Sequence, residues 1–353
     1  MYKSISIENF RCFENTKIEG FEQINLIGGQ NNAGKTALLE ALYFAASPDA
    51  NRIYHIEFNN RHKIETAVQV TETWHYLFYN KNISKEINIS ALTKDKGDIE
   101  VSVKHLREKV TKLFVSKTPN INDATAFDTD DFYFSNLKID YKNKNNTGFS
   151  TIKFEGNAYQ VESSLETPIL KSFFINSFRA FNSKNLADSF DNNKLGNLYS
   201  TILKGCQIID KAIEAIDTFN SEIYLKRKNE DFIPLSLWGD AMNKIMGYFL
   251  SIISFNKGII LIDEIENGIH HTNQRKLWKM LFDLAKEFDV QVFATSHSAE
   301  MIAAFQDVAV EHKAKGAYFT LNRHAKTKQI LGLKTQLDTL SLKVEHKMNF
   351  RGE

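Results

Sequence analysis

The chain has 353 residues, of which 42% are hydrophobic and 25% charged, and this ordinary globular balance excludes extensive disorder. Its 44 Lys and Arg residues against 43 Asp and Glu residues leave a net charge of +1, which excludes an overall basic field, so any DNA contact would need a local patch. The cysteines, Cys12 and Cys206, lie far apart without histidines at ligand spacing, which excludes a disulfide framework and a zinc site.

We expect a cytoplasmic protein with reduced thiols and no membrane span. The first residues lead into a predicted strand without the charged and apolar regions of a signal peptide. The most apolar stretch, residues 245–255, falls well short of the roughly 20 residues that cross a bilayer. It predicts a buried helix instead.

The N-terminal elements predict a strand, a glycine-rich loop and a helix in succession. Residues 5–13 suggest an opening strand and turn, and residues 24–27 are a short apolar strand that ends in two glycines. Residues 36–46 carry apolar side chains at helical spacing and stop before Pro48. This is the context that a phosphate-binding loop requires.

Residues 29–36, with the sequence GQNNAGKT, match the phosphate-loop pattern G-x-x-x-x-G-K-[ST] in full. Backbone N–H groups of such a loop wrap the β-phosphate, and the following helix N-terminus adds positive potential. Lys35 would neutralise phosphate oxygens, and Thr36 would offer its hydroxyl to Mg²⁺. The alternative, an ordinary flexible loop, does not explain the flanking strand and helix. The predicted nucleotide contacts are Gly29, Asn31, Asn32, Ala33, Gly34, Lys35 and Thr36.

The middle of the chain has a different residue pattern. Between residues 59 and 165, short β-like runs alternate with clusters of Asn, Lys, Asp and Gly, which predicts an inserted, mostly β subdomain. No heptad pattern persists long enough for the coiled-coil arm of an SMC protein. We therefore predict an N-terminal lobe over 1–58, an insertion over 59–165 and a C-terminal lobe over 166–353.

Alternating strands and helices resume in the C-terminal lobe. A strand is predicted over 172–177, a helical stretch over 194–215, an apolar strand over 259–262 and a further strand over 290–294. Residues 277–288 carry apolar side chains on one helical face. This alternation predicts an α/β fold with a mostly parallel sheet.

Asp263 and Glu264 directly follow the apolar strand 259–262, as in a Walker B motif. Asp263 would hold Mg²⁺ through water, and Glu264 would polarise the attacking water. An acidic turn after a core strand is the alternative, and the phosphate loop upstream argues against it. His297 follows the next strand, at the sheet edge where ligands of α/β folds bind. We interpret it as a sensor of the γ-phosphate, although an isolated histidine is usually structural.

These motifs and their order resemble the OLD/SMC/RecF-like ABC-type AAA ATPases of prokaryotes, ATP-binding proteins without a fused TOPRIM nuclease that often occur in antiphage defence modules. The resemblance covers most of the chain outside the insertion, and it rests on residues 5–13, 29–36, 234–240, 261–270 and 291–298. It implies an ABC/SMC-type P-loop ATPase head with a mixed sheet flanked by helices. It also implies ATP and Mg²⁺ at sites that are completed when two ATPase domains meet head to tail.

The resemblance assigns further residues. Residues 235–240 match a degenerate ABC signature, in which Ser236 and Gly239 would contact the γ-phosphate bound by the partner protomer. The chain departs from the family by carrying Ala241 and Lys244 where Gly and Arg are common. By its residue type alone, Ser236 could equally be a helix cap. Residues 266–270 match the D-loop, expected at the dimer interface, although Asn-Gly also makes an ordinary turn.

Two arginines have weaker assignments. Arg11 would contact nucleotide, as the basic residue of the comparable motif does in SMC-like proteins, or would be a solvated surface residue. Arg179 lies where relatives often carry arginine.

The resemblance implies a homodimeric or larger ATPase that senses or gates a separate effector protein in antiphage defence. A RecF/SMC-like DNA-binding ATPase in repair or recombination is the alternative; the near-neutral charge and the missing arm count against it. The OLD nuclease itself would need a TOPRIM domain, for which too few residues follow Leu321. A transporter ATPase fits the signature and insertion poorly. The acidic run at residues 128–131 favours a solvated loop over a metal cluster.

Overall fold

The computed structural model describes residues 1–59, 74–109, 133–155, 158–177, 181–194, 197–312 and 315–345. Two compact units divide the chain. The first contains Met1–Ser4, Lys17–Leu39 and Leu170–Glu353, and the second contains Ile5–Thr16 and Glu40–Ile169. The units therefore differ from the predicted lobes, because residues 5–16 and 40–58 join the second unit. Arg179 and the acidic run at 128–131 lie outside the described residues.

A six-stranded sheet organises the first unit. Its strands are β3 (Ile24–Gly29), β9 (Ser172–Ile175), β13 (Ile259–Ile262), β14 (Gln291–Thr295), β15 (Gly316–Arg323) and β16 (Ile330–Thr335). Their order is β16-β15-β3-β14-β13-β9, and only β16 pairs antiparallel. The carboxyl ends of β3, β13 and β14 lie at one edge of three adjacent strands, where ligands of α/β sheets bind.

The helices of the described residues belong to both units. They are α1 (Lys35–Ala46), α2 (Ala50–Tyr54), α3 (Ser183–Asn193), α4 (Asn197–Cys206), α5 (Asp240–Ser254), α6 (His271–Glu287), α7 (Ala299–Glu311) and α8 (Leu337–Glu345). The apolar faces of α6 and α7 meet in the core, where the Trp278 and Phe305 rings make an edge contact at 5.1 Å. The indole N–H of Trp278 donates to the Met301 carbonyl, so the buried ring leaves no unpaired donor. No helix in the described part of the chain is long and apolar enough to cross a membrane.

The helix predicted over 194–215 is only partly correct. Helix α4 ends at Cys206, and residues from Ile213 onward form a three-stranded antiparallel sheet of β10 (Ile213–Phe219), β11 (Glu222–Arg227) and β12 (Phe232–Pro234). Ile223 and Leu225 are buried two positions apart, which is strand periodicity. A two-residue turn joins β10 and β11, with both turn residues at positive φ.

A seven-stranded sheet dominates the second unit. It contains β1 (Tyr2–Phe10), β2 (Phe13–Glu19), β4 (Ile87–Thr93), β5 (Gly97–Lys109), β6 (Tyr133–Lys142), β7 (Thr147–Glu155) and β8 (Ala158–Ser163). The order is β2-β1-β4-β5-β6-β7-β8. Strands β4 to β8 lie in the region predicted to be mostly β, but they continue the sheet of the N-terminal strands. Ile87, Ile89 and Ala91 on β4 are buried at every second position, which is the periodicity of a strand.

Candidate nucleotide site

The loop of residues 29–36 connects β3 to α1 at the carboxyl edge of the sheet. Gly29 has a φ of +145°, and a Cβ at this position would lie 2.7 Å from the Leu321 carbonyl oxygen, so only glycine fits. The Gly34 carbonyl accepts from Leu38 N–H at 2.9 Å, which starts the helix directly behind the loop. Asn31 and Asn32 are exposed and Ala33 is buried. This geometry leaves a glycine-rich backbone in front of a helix N-terminus, which is a binding site for phosphate.

Lys35 occupies the centre of the site. Its Nζ donates to the Gly29 and Gln30 carbonyls, each at 2.8 Å. Burial lowers the pKa of Lys35 below its ordinary value, while nearby carboxylates, led by Glu266 and followed by Asp263 and Glu264, oppose this effect. The ammonium is therefore held at the loop within the field of the acidic residues that follow β13.

Asp263 accepts hydrogen bonds from both the phosphate loop and strand β14 of the sheet. The Thr36 hydroxyl donates to its carboxylate, with distances of 3.2 and 3.0 Å to the two oxygens. The Thr295 hydroxyl donates to Asp263 Oδ1 at 2.7 Å. Hydroxyl and carboxylate oxygens are the hard donors that Mg²⁺ prefers, so Thr36 and Asp263 fit this ion. The two residues are 227 positions apart in the sequence and form a hydrogen bond in the structure.

Glu264 is held by two neighbours. Its backbone N–H donates to the Thr295 hydroxyl at 2.8 Å, and its Oε2 accepts from the Asn267 side-chain amide at 2.7 Å. Its φ of +49° is rare for a residue with a side chain, and such strain concentrates at functional sites. Thr295 thus contacts both Asp263 and Glu264, a role that the sequence reasoning missed. The signal was available, because Thr295 ends the strand that pairs parallel with the strand before Asp263.

His297 lies beside Glu266 rather than beside Glu264. Glu266 Oε1 accepts from His297 N–H at 2.8 Å and lies 2.9 Å from the His297 ring Nδ1. The sequence reasoning placed Glu266 only in a D-loop at a dimer interface. In the structure its negative charge also favours the charged form of Lys35 and so opposes the burial that lowers the pKa of that residue.

The signature segment, residues 235–240, contacts residues other than those of the phosphate loop. Ser236 lies in a short 3₁₀ turn, Leu235–Leu237, and its hydroxyl donates to Glu222 at 2.6 Å. Gly239 is the N-cap residue of α5, so Ser236 does not cap this helix and that alternative is wrong. Gly239 has a φ of +84° with open space around its α-carbon, and the Leu237 side chain is 74% exposed.

The D-loop packs against the start of α5. Lys244 Nζ donates to the Asn267 carbonyl at 3.0 Å and pairs with Asp240 Oδ2 at 3.3 Å. A Cβ on Gly268 would lie 2.6 Å from the same Asp240 oxygen, so the turn and the helix touch closely. Lys244 therefore joins helix α5 to the turn that holds Glu264.

Arg11 has a different environment from the one predicted. Its guanidinium forms ion pairs with Glu40, at 3.1 Å, and with Glu57, and only 6% of its side chain is exposed. Burial alone would lower the pKa of Arg11, but the two carboxylates outweigh burial and raise it. The solvated-surface alternative is therefore wrong. Arg11 has structural partners within the second unit, and its nucleotide contact stays a prediction.

Comparison with known proteins identifies the family. A protein-family model described as an AAA ATPase domain matches residues 1–302. An ATP/GTP phosphatase of Helicobacter pylori is 28% identical over 337 residues, which cover 88% of this chain and 89% of the relative. The DNA replication and repair protein RecF of Lactococcus lactis is 40% identical over 53 residues, or 15% of each chain.

A solved structure confirms the predicted fold. The SmcHead bound to the C-winged helix domain of ScpA aligns with a TM-score of 0.50 and 9% identity, covering 96% of this chain and 98% of that one. At this identity the likeness shows the fold alone. The family match over residues 1–302 establishes that the chain belongs to the AAA ATPase domain family, and its fold is that of an SMC head.

Proposed function

We propose that the protein hydrolyses ATP with Mg²⁺ in a head-to-tail dimer that contains two composite sites. The observation that carries this proposal is the convergence of Thr36, Asp263 and Glu264 beside the phosphate loop, with the Thr295 hydroxyl joining the Asp263 carboxylate to the backbone N–H of Glu264. Thr36 and Asp263 would supply oxygen ligands to Mg²⁺, and Glu264 would supply a carboxylate next to them. Phosphoryl transfer to water requires groups of these kinds.

Each residue has a definite task in this reaction. The loop N–H groups and Lys35 bind the phosphates, and Lys35 exchanges its carbonyl partners for phosphate oxygens. Thr36 and Asp263 would hold Mg²⁺, which neutralises charge on the phosphates when it is bound. Glu264 orients and polarises the attacking water, and His297 stabilises the negative charge that develops on the γ-phosphate. Catalysis is then mainly positioning.

The dimer completes each site from the signature of the second protomer. Ser236 and Gly239 would contact the γ-phosphate held by the partner's loop. Their exposure supports this task, since Gly239 has open space and the adjacent Leu237 presents a large apolar side chain to solvent. In the proposed dimer, the approach of the partner protomer would cover this side chain. Release of phosphate would then loosen the dimer.

Two inactive variants test the composite site. Lys35→Ala removes the phosphate ligand, and Ser236→Arg puts a bulky cation on the exposed signature, so each alone is expected to abolish turnover. In an equal mixture, half of the dimers carry one intact site, which restores roughly a quarter of wild-type turnover. Ser84→Arg, at an exposed serine of the second unit, is the matched control and keeps full activity. A mixture that forms mixed dimers yet stays inactive contradicts the proposal.

We further propose that this cycle gates a separately encoded effector in a prokaryotic antiphage defence system. The support is the family resemblance of the ATPase motifs. A RecF/SMC-like DNA-binding ATPase is the second candidate, favoured by the short match to RecF. Tagged Glu264→Gln protein, captured from its native host with Mg-ATP, separates the two. A stoichiometric protein partner supports effector gating, whereas nuclease-sensitive duplex DNA without a protein partner contradicts it and favours the second candidate.

A further inference from the structure

Glu266 makes an unusual pair of contacts with His297. One carboxylate oxygen, Oε1, accepts from the backbone N–H of His297 at 2.8 Å and lies 2.9 Å from Nδ1 of its ring. The two contacts fix both the backbone position and one edge of the imidazole. A side chain that merely lay nearby would not bind the same residue at two points.

The carboxylate is buried in spite of its charge. Only 9% of the Glu266 side chain is exposed, whereas 49% of the His297 side chain is exposed. Its second oxygen, Oε2, is also buried and makes no hydrogen bond within the described part of the chain. A buried acceptor without a hydrogen-bond partner destabilises a fold, so its retention needs a reason. The reason cannot be the stability of this loop alone.

Glu264 does not take this role. Its carboxylate accepts from the Asn267 amide at 2.7 Å, and its backbone N–H is engaged by Thr295. The two carboxylates that flank Ile265 therefore face different partners. One is held by the turn that follows it, and the other holds the histidine at the end of β14.

We propose that Glu266 is a positioning residue that fixes the tautomer and orientation of His297. A carboxylate that accepts from Nδ1 places the ring hydrogen on that nitrogen. Nε2, at the opposite edge of the half-exposed ring, is then the atom left for the γ-phosphate or its attacking water. The inference deepens the proposed ATPase mechanism and rests on it for the role of His297, but the tautomer itself is independent of hydrolysis.

The tautomer is measured directly by nitrogen NMR of protein labelled on histidine side chains, with the His297→Ala spectrum used to assign the signal. We expect His297 of the wild type to carry its hydrogen on Nδ1 without nucleotide. Glu266→Gln keeps an acceptor oxygen and retains this tautomer, while Glu266→Ala gives a mixture or the Nε2–H form. A wild-type His297 with its hydrogen on Nε2 overturns the proposal.

Kinetics supply the second readout. Glu266→Ala is expected to lower kcat by about 10- to 100-fold, the usual effect of losing an orienting carboxylate, with little change in KM. Glu266→Gln retains most of kcat. In the His297→Ala background, Glu266→Ala should have almost no further effect, because both changes remove the same unit. Equal effects of Glu266→Ala in the two backgrounds overturn the proposal, as does an unchanged kcat.

Two controls keep the outcomes distinct. Glu311→Ala removes an exposed carboxylate of the same unit and should leave the histidine spectrum and kcat unchanged. Thermal unfolding of Glu266→Ala, with its His297 signal resolved, establishes that the variant is folded. If the wild type lacks hydrolysis altogether, the proposed function fails while the tautomer result still stands by itself.

Discussion

Thr295 shows how a single neutral side chain organises the charged residues of the site. Its hydroxyl donates to Asp263 and accepts from the backbone of Glu264, so both of its hydrogen-bonding functions are used. Thr295 is fully buried, and the bonds therefore operate away from solvent screening. The strained backbone of Glu264 is stabilised in part by this contact.

Thr295→Val preserves the shape of the side chain and removes both bonds. We expect a loss of about 1–3 kcal/mol in the free energy of unfolding, because buried polar partners are left unsatisfied. We also expect at least a tenfold fall in kcat, because Glu264 loses its positioning contact. Urea unfolding and steady-state hydrolysis measure the two effects. Thr295→Ser keeps the hydroxyl and should restore most of both; equal damage by Ser and Val would show that the hydroxyl is not responsible.

At the scale of secondary structure, the β10–β11 hairpin is the element that the sequence reasoning missed most clearly. Its two-residue loop has φ of +48° at Asn220 and +60° at Ser221, which is the geometry of a type I′ turn. Asparagine tolerates this conformation, whereas serine has no local compensation for it.

Ser221→Gly should therefore stabilise the protein by about 0.5–1 kcal/mol, since glycine adopts positive φ without steric penalty. Ser221→Val should destabilise it, because a branched side chain fits that region worst. Chemical unfolding of the two variants beside the wild type checks the signs. The residue is exposed, so packing does not confuse the comparison. Equal stability of all three chains would contradict the turn assignment.

In the second unit, strand β5 carries a histidine that resists protonation. Burial, followed by the charges of His75 and Arg107, lowers the pKa of His105 to about 4. Between its ordinary pKa near 6.5 and about 4, the unfolded chain binds a proton that the folded chain does not, so stability falls as pH falls through this window. Below about pH 4, both states are protonated and the loss no longer grows.

His105→Phe should remove this acid sensitivity while keeping an aromatic ring beside His75 and Phe78, whose rings lie 5.3 and 6.2 Å away. Discounted for solvent screening, the relief at pH 5 relative to pH 7 is on the order of 1 kcal/mol. Thermal unfolding at the two pH values measures it, with the surface variant His324→Gln as a control. An undiminished loss of stability in His105→Phe would contradict this account.

The phosphate loop and the strand before Asp263 could be predicted because their chemistry lies in contiguous residues with a fixed spacing. The helix predicted over 194–215 was only partly correct, because residues from Ile213 onward pair as a strand with residues 222–227, which lie further along the chain. The partners of Arg11 and Glu266 could not be predicted, since each contact is set by the packing of residues distant in sequence. Glu57 and Arg11, for example, meet only after folding.

In the whole molecule, one protomer alone is an incomplete enzyme under the proposed mechanism. The described part of the first unit brings the phosphate loop and Asp263 together, while Ser236 has its contact with Glu222 instead. Lys244 joins the signature helix to the turn that holds Glu264. In the proposed dimer, a partner that engages the signature would therefore act on an element connected to Glu264.

The central claim is that Glu264 polarises the attacking water in ATP hydrolysis. The most direct measurement is the ATP turnover of Glu264→Gln beside its ATP binding and its mass by light scattering. We expect the turnover of Glu264→Gln to fall by at least about 100-fold, while ATP binding is retained and an ATP-bound dimer accumulates. Unchanged turnover in Glu264→Gln would contradict the assignment of the catalytic residue and the mechanism built on it.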